Sequence, residues 1–300
     1  MTAPVNPAGT VDVAALVRTR VEQPGRIAEL AAARRVPAGL TGTTGRLMLV
    51  AADHTARGAL RAGDEALAMG DRCRMLERLG IALSRPGVDG VLGTADVLED
   101  LLLMGALEDK VVIGSMNRGG LAGTVFEIDD RFTGYDAASI AQMGLDGGKM
   151  LLRIDPGDPA TAATMQACAR AVSELAARGL MAMVEPFISH RVDGRVRNDL
   201  SADAVIRSIT VASGLGTTSA YTWLKIPVVD DMERVLAAST LPALLLGGEV
   251  SADQDAAFGR WRKALAFPSV RGLVVGRALL FPPDDDVAAA VDTAVGLLRG

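Results

Sequence analysis

The chain is poor in the residues that hold metals and cross-links. It has two cysteines and two histidines in 300 residues. Cys73 and Cys168 fall in helical patterns, so no disulfide framework is expected. His54 and His190 have no cysteines clustered about them, a poor basis for a zinc site, and no metal is expected. No glycine-rich fingerprint joins a strand to a helix, so no dinucleotide or other cofactor is called for. No uncharged stretch reaches the roughly 18 residues that a bilayer span needs. Met1-Thr2-Ala3-Pro4-Val5 carries neither the basic nor the apolar region of an export signal. A cytoplasmic protein without a membrane partner is therefore the expectation. The net charge is -5, and no long basic tract is present. That argues against nucleic acid as a partner and leaves open a local positive pocket for a small anion.

Lysine is scarce too: only Lys110, Lys149, Lys225 and Lys263 occur. Two of these four lie inside apolar runs, where solvated surface charge does not belong. The clearest case is Ala220-Tyr221-Thr222-Trp223-Leu224-Lys225-Ile226-Pro227-Val228-Val229. Its β-branched and aromatic residues favour a strand, and Pro227 forbids a helix interior. Burial disfavours the ammonium and lowers its pKa, which suits a nucleophile aimed at a carbonyl. A lysine that only snorkels from a strand end would look the same in this stretch alone.

The remaining apolar residues, within a 49% hydrophobic composition, alternate between strand-like runs and helical spacing. Residues 11–35 read as two short helices broken at Pro24-Gly25, with apolar positions Val13, Leu16, Val17, Ile27 and Leu30. A Gly/Thr linker follows to residue 45. Strands are expected over 46–52, 88–93, 111–116, 149–154, 180–184, around Lys225, over 243–246 and over 272–275. Helices are expected over 71–84, through Val97 to Met104, from Asp136, over 160–178, after a loop with Arg191, Arg195 and Arg197 and a Ser201 cap, from Asp231, from Asp253, and after Asp284 to Asp286. Continuous apolar strands belong in a parallel sheet buried on both faces. Eight strands separated by helices, at this length, predict one (β/α)8 TIM barrel over residues 1–300, with 1–45 as a helical extension and linker. An open doubly wound sheet is the alternative.

Barrel enzymes work at the C-terminal ends of their strands. Asp53 ends the first strand, Asn117 follows the third, Asp155 the fourth, Glu185 ends the fifth, and Lys225 lies late in the sixth. Alternation puts Leu49, Ala51 and Asp53 on one face, and Met181, Met183 and Glu185 on one face. Interior carboxylates need partners, which lysines supply. Lys149, in Gly147-Gly148-Lys149-Met150-Leu151-Leu152-Arg153, stands early in its strand, so a place in the site or at the barrel floor is open. The last two strands run into Leu246-Gly247-Gly248-Glu249-Val250-Ser251 and Val275-Gly276-Arg277. Such loops often bind phosphate; Gly247, Gly248 and Gly276 permit close approach, and Arg277 can grip an anion. The segment from Asn117 to Gly134 is long enough to be a lid.

These residues resemble a class I (Schiff-base) aldolase of the group holding deoxyribose-phosphate, tagatose-bisphosphate and sulfofructose-phosphate aldolases. The likeness spans residues 46–281. Asp53-His54 is similar to that family's aspartate turn, Lys149-Met150-Leu151-Leu152 to its second-lysine strand, and Leu224-Lys225-Ile226-Pro227-Val228 to its Schiff-base strand. Glu185 falls at the place of its acid/base glutamate, and Gly276-Arg277-Ala278 at its phosphate end. His54, Leu246 and Glu249 depart from the pattern. The resemblance extends to aldolase-like proteins of inositol catabolism, which would cleave 2-deoxy-5-keto-gluconate 6-phosphate. It implies metal-independent C–C cleavage of a sugar phosphate by a Lys225 imine. Glu185 would move protons with its pKa raised by desolvation, Asp53 would orient hydroxyls, and Lys149 would balance charge. A phosphate-binding barrel isomerase or lyase without an imine, and a non-catalytic sugar-phosphate binding protein, are the alternative readings. The oligomeric state stays open, a homo-oligomer among the options.

Overall fold

The computed structural model describes residues 11–41, 44–248, 250 and 253–299. Among these, nine strands form: β1 (Leu47–Ala51), β2 (Gly90–Gly93), β3 (Val111–Ser115), β4 (Gly147–Ile154), β5 (Met181–Val192), β6 (Arg195–Asn198), β7 (Thr222–Ile226), β8 (Ala243–Leu246) and β9 (Val270–Val275). Every strand but β6 pairs in parallel in the order β4-β3-β2-β1-β9-β8-β7-β5, and a β4–β5 pairing closes the ring. The result is an eight-stranded (β/α)8 TIM barrel with helices around it and two helices, Val13–Glu22 and Arg26–Ala33, ahead of it.

Two-sided burial explains the unbroken apolar strands. Leu47, Leu49 and Ala51 of β1 pack inside the barrel with Val111, Ile113, Met181, Met183, Leu244 and Val274. Met48 and Val50, between them, pack outward against the helices. Trp223 joins the inner group, which accounts for its bulk: it fills the interior one inward position below Lys225. Strand β9 needs Gly272, whose φ is +144° and whose place leaves no room for a Cβ beside the Leu47 carbonyl oxygen.

Helix starts follow the expected chemistry. Ser201 accepts from the Ala204 N–H, and Asp286 Oδ1 accepts from the Ala289 N–H at 2.9 Å. The break at Pro24-Gly25 separates the two leading helices, but of their five expected apolar positions only Leu16 is fully buried, and Val13 and Val17 are exposed. The stretch holding Arg191, Arg195 and Arg197, expected to be a loop, instead extends β5 and returns as antiparallel β6. Asp193 (φ +50°) and Gly194 (φ +74°) make the turn, the Asp-Gly pair favoured in tight hairpins. No helix among the described residues is long and apolar enough to cross a membrane.

Candidate active site

On β1, β5 and β7 the inward positions change from apolar to ionic toward the C-terminal end. Asp53 continues the inward series of β1, Glu185 that of β5, and Lys225 follows Trp223 on β7. The register pairs Val184 with Leu224, so Glu185 and Lys225, one residue further in each strand, stand side by side. Lys149 is the third residue of β4, which begins at Gly147, and pairs with Ser115 on one side and Met183 on the other. From the level of Met183 its long side chain reaches up into the ionic layer.

Four of the expected residues therefore meet. Lys225 Nζ lies 2.9 Å from Glu185 Oε1, and Lys149 Nζ contacts the other oxygen, Oε2. Lys149 also lies 3.3 Å from Asp53 Oδ2. Asp53 and Lys149 are wholly shielded from solvent, and Lys225 is 3% exposed. Asp53 Oδ2 further accepts from Ser115 Oγ at 3.1 Å and from Arg118 Nη2. Its second oxygen, Oδ1, is buried and accepts from no protein group.

Arg118 is the residue that sequence reasoning missed. It follows β3 inside a glycine-rich stretch without periodicity, where only its place after a strand end marked it. Asn117, noted beside it, is structural: its Nδ2 donates to the Leu151 carbonyl at 2.6 Å and its Oδ1 accepts the Leu151 N–H at 2.6 Å. Arg153 holds the same segment through Asp130 Oδ1 at 2.6 Å and Oδ2 at 2.8 Å. The expected lid is thus pinned to β4 along part of its length. Asp155 also has a local task, its Oδ1 accepting the Gly157 N–H at 2.9 Å.

The electrostatics correct one expectation. Burial alone would raise the Glu185 pKa, but Lys149, Lys225 and Arg118 outweigh it and hold the carboxyl well below its usual range. Glu185 is a carboxylate in the free protein, not a raised-pKa acid. Burial lowers Lys225, with Glu185 opposing and Arg118 and Arg277 assisting. Lys149 is pushed well below the usual lysine range, by burial first and then by Arg118, with Glu185 opposing. His54 is likewise driven low by burial and by Arg277 and Lys225, so its ring is neutral near pH 7.

The expected anion end lies at the same mouth. Gly247 packs against Val275, so the ends of β8 and β9 adjoin. Gly276 lies against the Ala51 carbonyl and the His54 ring, where a Cβ would be 2.4 Å from the first and 2.7 Å from the second. Gly248 takes φ +69°. Arg277 is half-buried and donates to the Arg61 carbonyl at 3.3 Å. Glu249 and Ser251 lie outside the described residues. A surface depression between Arg74 and Asp286 contains none of these groups. Among the described residues no three His, Cys, Asp or Glu side chains converge to hold a metal ion.

Structural comparison finds the same barrel fold in aldolases of low sequence identity. A Schiff-base-forming fructose-1,6-bisphosphate aldolase superposes with TM-score 0.64 at 17% identity, covering 91% of this chain and 99% of that one. Fructose-bisphosphate aldolase from Slackia heliotrinireducens gives TM-score 0.63 at 15% identity over 92% and 90%. At such identities the likeness speaks for the fold. No curated protein sequence matches the chain. The crystal structure of Cgl0159 from Corynebacterium glutamicum is far nearer, at 54% identity and TM-score 0.94 over 99% of both chains. The Cgl0159-like family profile matches residues 45–295, the whole barrel, and the chain belongs to that family.

Proposed function

We propose that the protein is a class I aldolase that cleaves or forms a C–C bond in a phosphorylated sugar through an imine on Lys225. The observation that carries this reading is the buried contact between Lys225 Nζ and Glu185 Oε1 at 2.9 Å, at the C-terminal end of the barrel. Burial favours the neutral amine, and the carboxylate beside it can take the ammonium proton.

The amine attacks the substrate carbonyl carbon and forms a carbinolamine. Glu185 returns the proton to the carbinolamine hydroxyl, which leaves as water and produces the iminium. The iminium then accepts the electron pair of the breaking C–C bond. Meanwhile a hydroxyl on the departing fragment gives its proton to Glu185 and becomes that fragment's carbonyl. The remaining enamine takes a proton on carbon, and water releases it from Lys225. Asp53 Oδ1, buried and unbonded, is an acceptor left for a substrate hydroxyl. Arg277 and the glycine ends of β8 and β9 suit the phosphate. The substrate that the sequence resemblance implies, 2-deoxy-5-keto-gluconate 6-phosphate, is the first to test.

Lys149 has the more depressed pKa, which favours it as the nucleophile in a second reading. It is wholly buried between Asp53 and Glu185, whereas Lys225 contacts one carboxylate among the described residues. The less enclosed lysine is the better placed to meet a carbonyl. Reduction by borohydride during turnover tests the choice: a stable adduct on the Lys225 peptide is expected, and an adduct on Lys149 alone exchanges the roles.

A further inference from the structure

Among the described residues, the buried ionic layer holds more positive charge than its carboxylates balance. Asp53 faces Arg118 and Lys149, and Glu185 faces Lys149 and Lys225, so two carboxylates meet three cations. All five side chains are buried. The groups packed around them do not supply the missing negative charge. Ser115, on β3, donates to Asp53 but carries none. His54, next along the chain from Asp53, is neutral near pH 7, and Arg277, after β9, adds a cation. On the helix Ala160–Ala176, burial pushes the Cys168 thiol up to about 12, so it stays uncharged. Further along β4, Arg153 holds both oxygens of Asp130 and, with Arg57, faces Glu127 at 3.7 and 3.8 Å. That neighbouring group has two cations for two carboxylates and is balanced by itself.

An unbalanced charge in a water-poor site is costly, and a group that can lose its proton does so. Arg118 is not that group. Burial brings its guanidinium to about 10, which leaves it protonated near pH 7. Only the lysines can yield. Glu185 spans them with one oxygen each, so a lost proton belongs to the pair. We infer that Arg118 is a positioning residue whose fixed charge makes the Lys149–Glu185–Lys225 trio rest one proton short, with one neutral amine. The proton goes to solvent and leaves one ammonium, one free amine and the carboxylate between them. Glu185 can take the remaining proton from Lys225 and hand it to Lys149, which puts the free amine on Lys225. The use of that amine rests on the imine reading above, but its neutrality precedes any substrate.

Carbon-13 NMR of protein labelled at lysine Cε reads the amines directly, without substrate or turnover. The chain has only four lysines, and Lys149→Met and Lys225→Arg assign the two buried signals. In phosphate-free buffer at pH 7 these two signals together should report one neutral amine and one ammonium. Arg118→Gln removes the excess charge, so both should become ammonium, and their first proton should leave about one pH unit or more higher. Asp53→Asn enlarges the excess and should move that step downward. A purely structural Arg118 would give no such opposed shifts. Circular dichroism checks each variant for folding, and one folded variant decides. Two ammonium signals in the wild-type protein at pH 7 overturn the inference, as does a step unmoved, or moved the wrong way, in a folded variant. A neutral lysine without any borohydride adduct removes the aldolase reading alone. A Lys225 adduct with both lysines cationic at rest removes the role of Arg118 and leaves the aldolase reading standing.

Discussion

Lys225 Nζ lies 2.9 Å from Oε1 of Glu185, and Lys149 occupies the other oxygen of that carboxylate. The arrangement couples the charge state of Glu185 to the reaction. While both lysines are cationic, Glu185 stays ionised despite its burial. When Lys225 becomes part of a neutral carbinolamine, one of those charges is lost and the glutamic acid form becomes more accessible. A base in one step is thereby readied as the acid of the next.

Lys149 separates charge from nucleophilicity. Lys149→Met keeps most of the volume and removes the charge. The borohydride adduct on Lys225 should survive, while turnover falls by about 10²-fold or more through the disturbed proton transfer. Single-turnover trapping beside steady-state rates checks this, and loss of the adduct in a folded Lys149→Met protein contradicts it.

Asp53 has a structural share as well. It is fully buried and faces both Lys149 and Arg118. Asp53→Ala leaves two buried cations short of a partner and should cost about 3–5 kcal/mol in denaturant unfolding. A loss under about 1 kcal/mol would mean that solvent screens the pair.

Arg277 should affect both binding and pH dependence. Arg277→Met should weaken a phosphorylated substrate by roughly 2 kcal/mol or more and leave an unphosphorylated analogue nearly unchanged. Its charge also helps to hold Lys225 below the usual lysine pKa, after burial and against Glu185. Removing it raises that pKa, so the amine is freed only at higher pH. The acid limb of kcat/KM should therefore move upward in pH. A limb that stays in place contradicts the contribution of Arg277 to the nucleophile.

The strand pattern made most of this site legible. Period-two alternation identified Asp53 and Glu185 as inward residues, and an apolar run around one lysine identified Lys225. Lys149 was ambiguous because its place depends on where β4 begins, and strand starts are poorly marked by composition. The hairpin carried a readable signal, Asp193-Gly194 between alternating residues, but its arginines resembled a solvated loop. Arg118 had no periodic context at all. The direction of the Glu185 shift depends on two distances across the barrel, which no local pattern contains. In the leading helices, apolar spacing was present at Val13 and Val17, yet these side chains are exposed.

Chelation addresses the reaction class. Among the described residues the donor clusters that hold metals are absent, and the proposed electron sink is an iminium. Activity should survive exhaustive EDTA treatment. Full loss restored by zinc would contradict a lysine-based mechanism.

The most direct test is reductive trapping followed by peptide mass mapping. The protein is incubated with a panel of phosphorylated aldoses and ketoses, 2-deoxy-5-keto-gluconate 6-phosphate among them, and reduced with borohydride. A stable mass adduct on the peptide containing Lys225 is expected. Lys225→Arg, folded but unable to form an imine, should lose the adduct and turnover together. A substrate that is turned over while neither Lys225 nor Lys149 is trapped would contradict the Schiff-base mechanism.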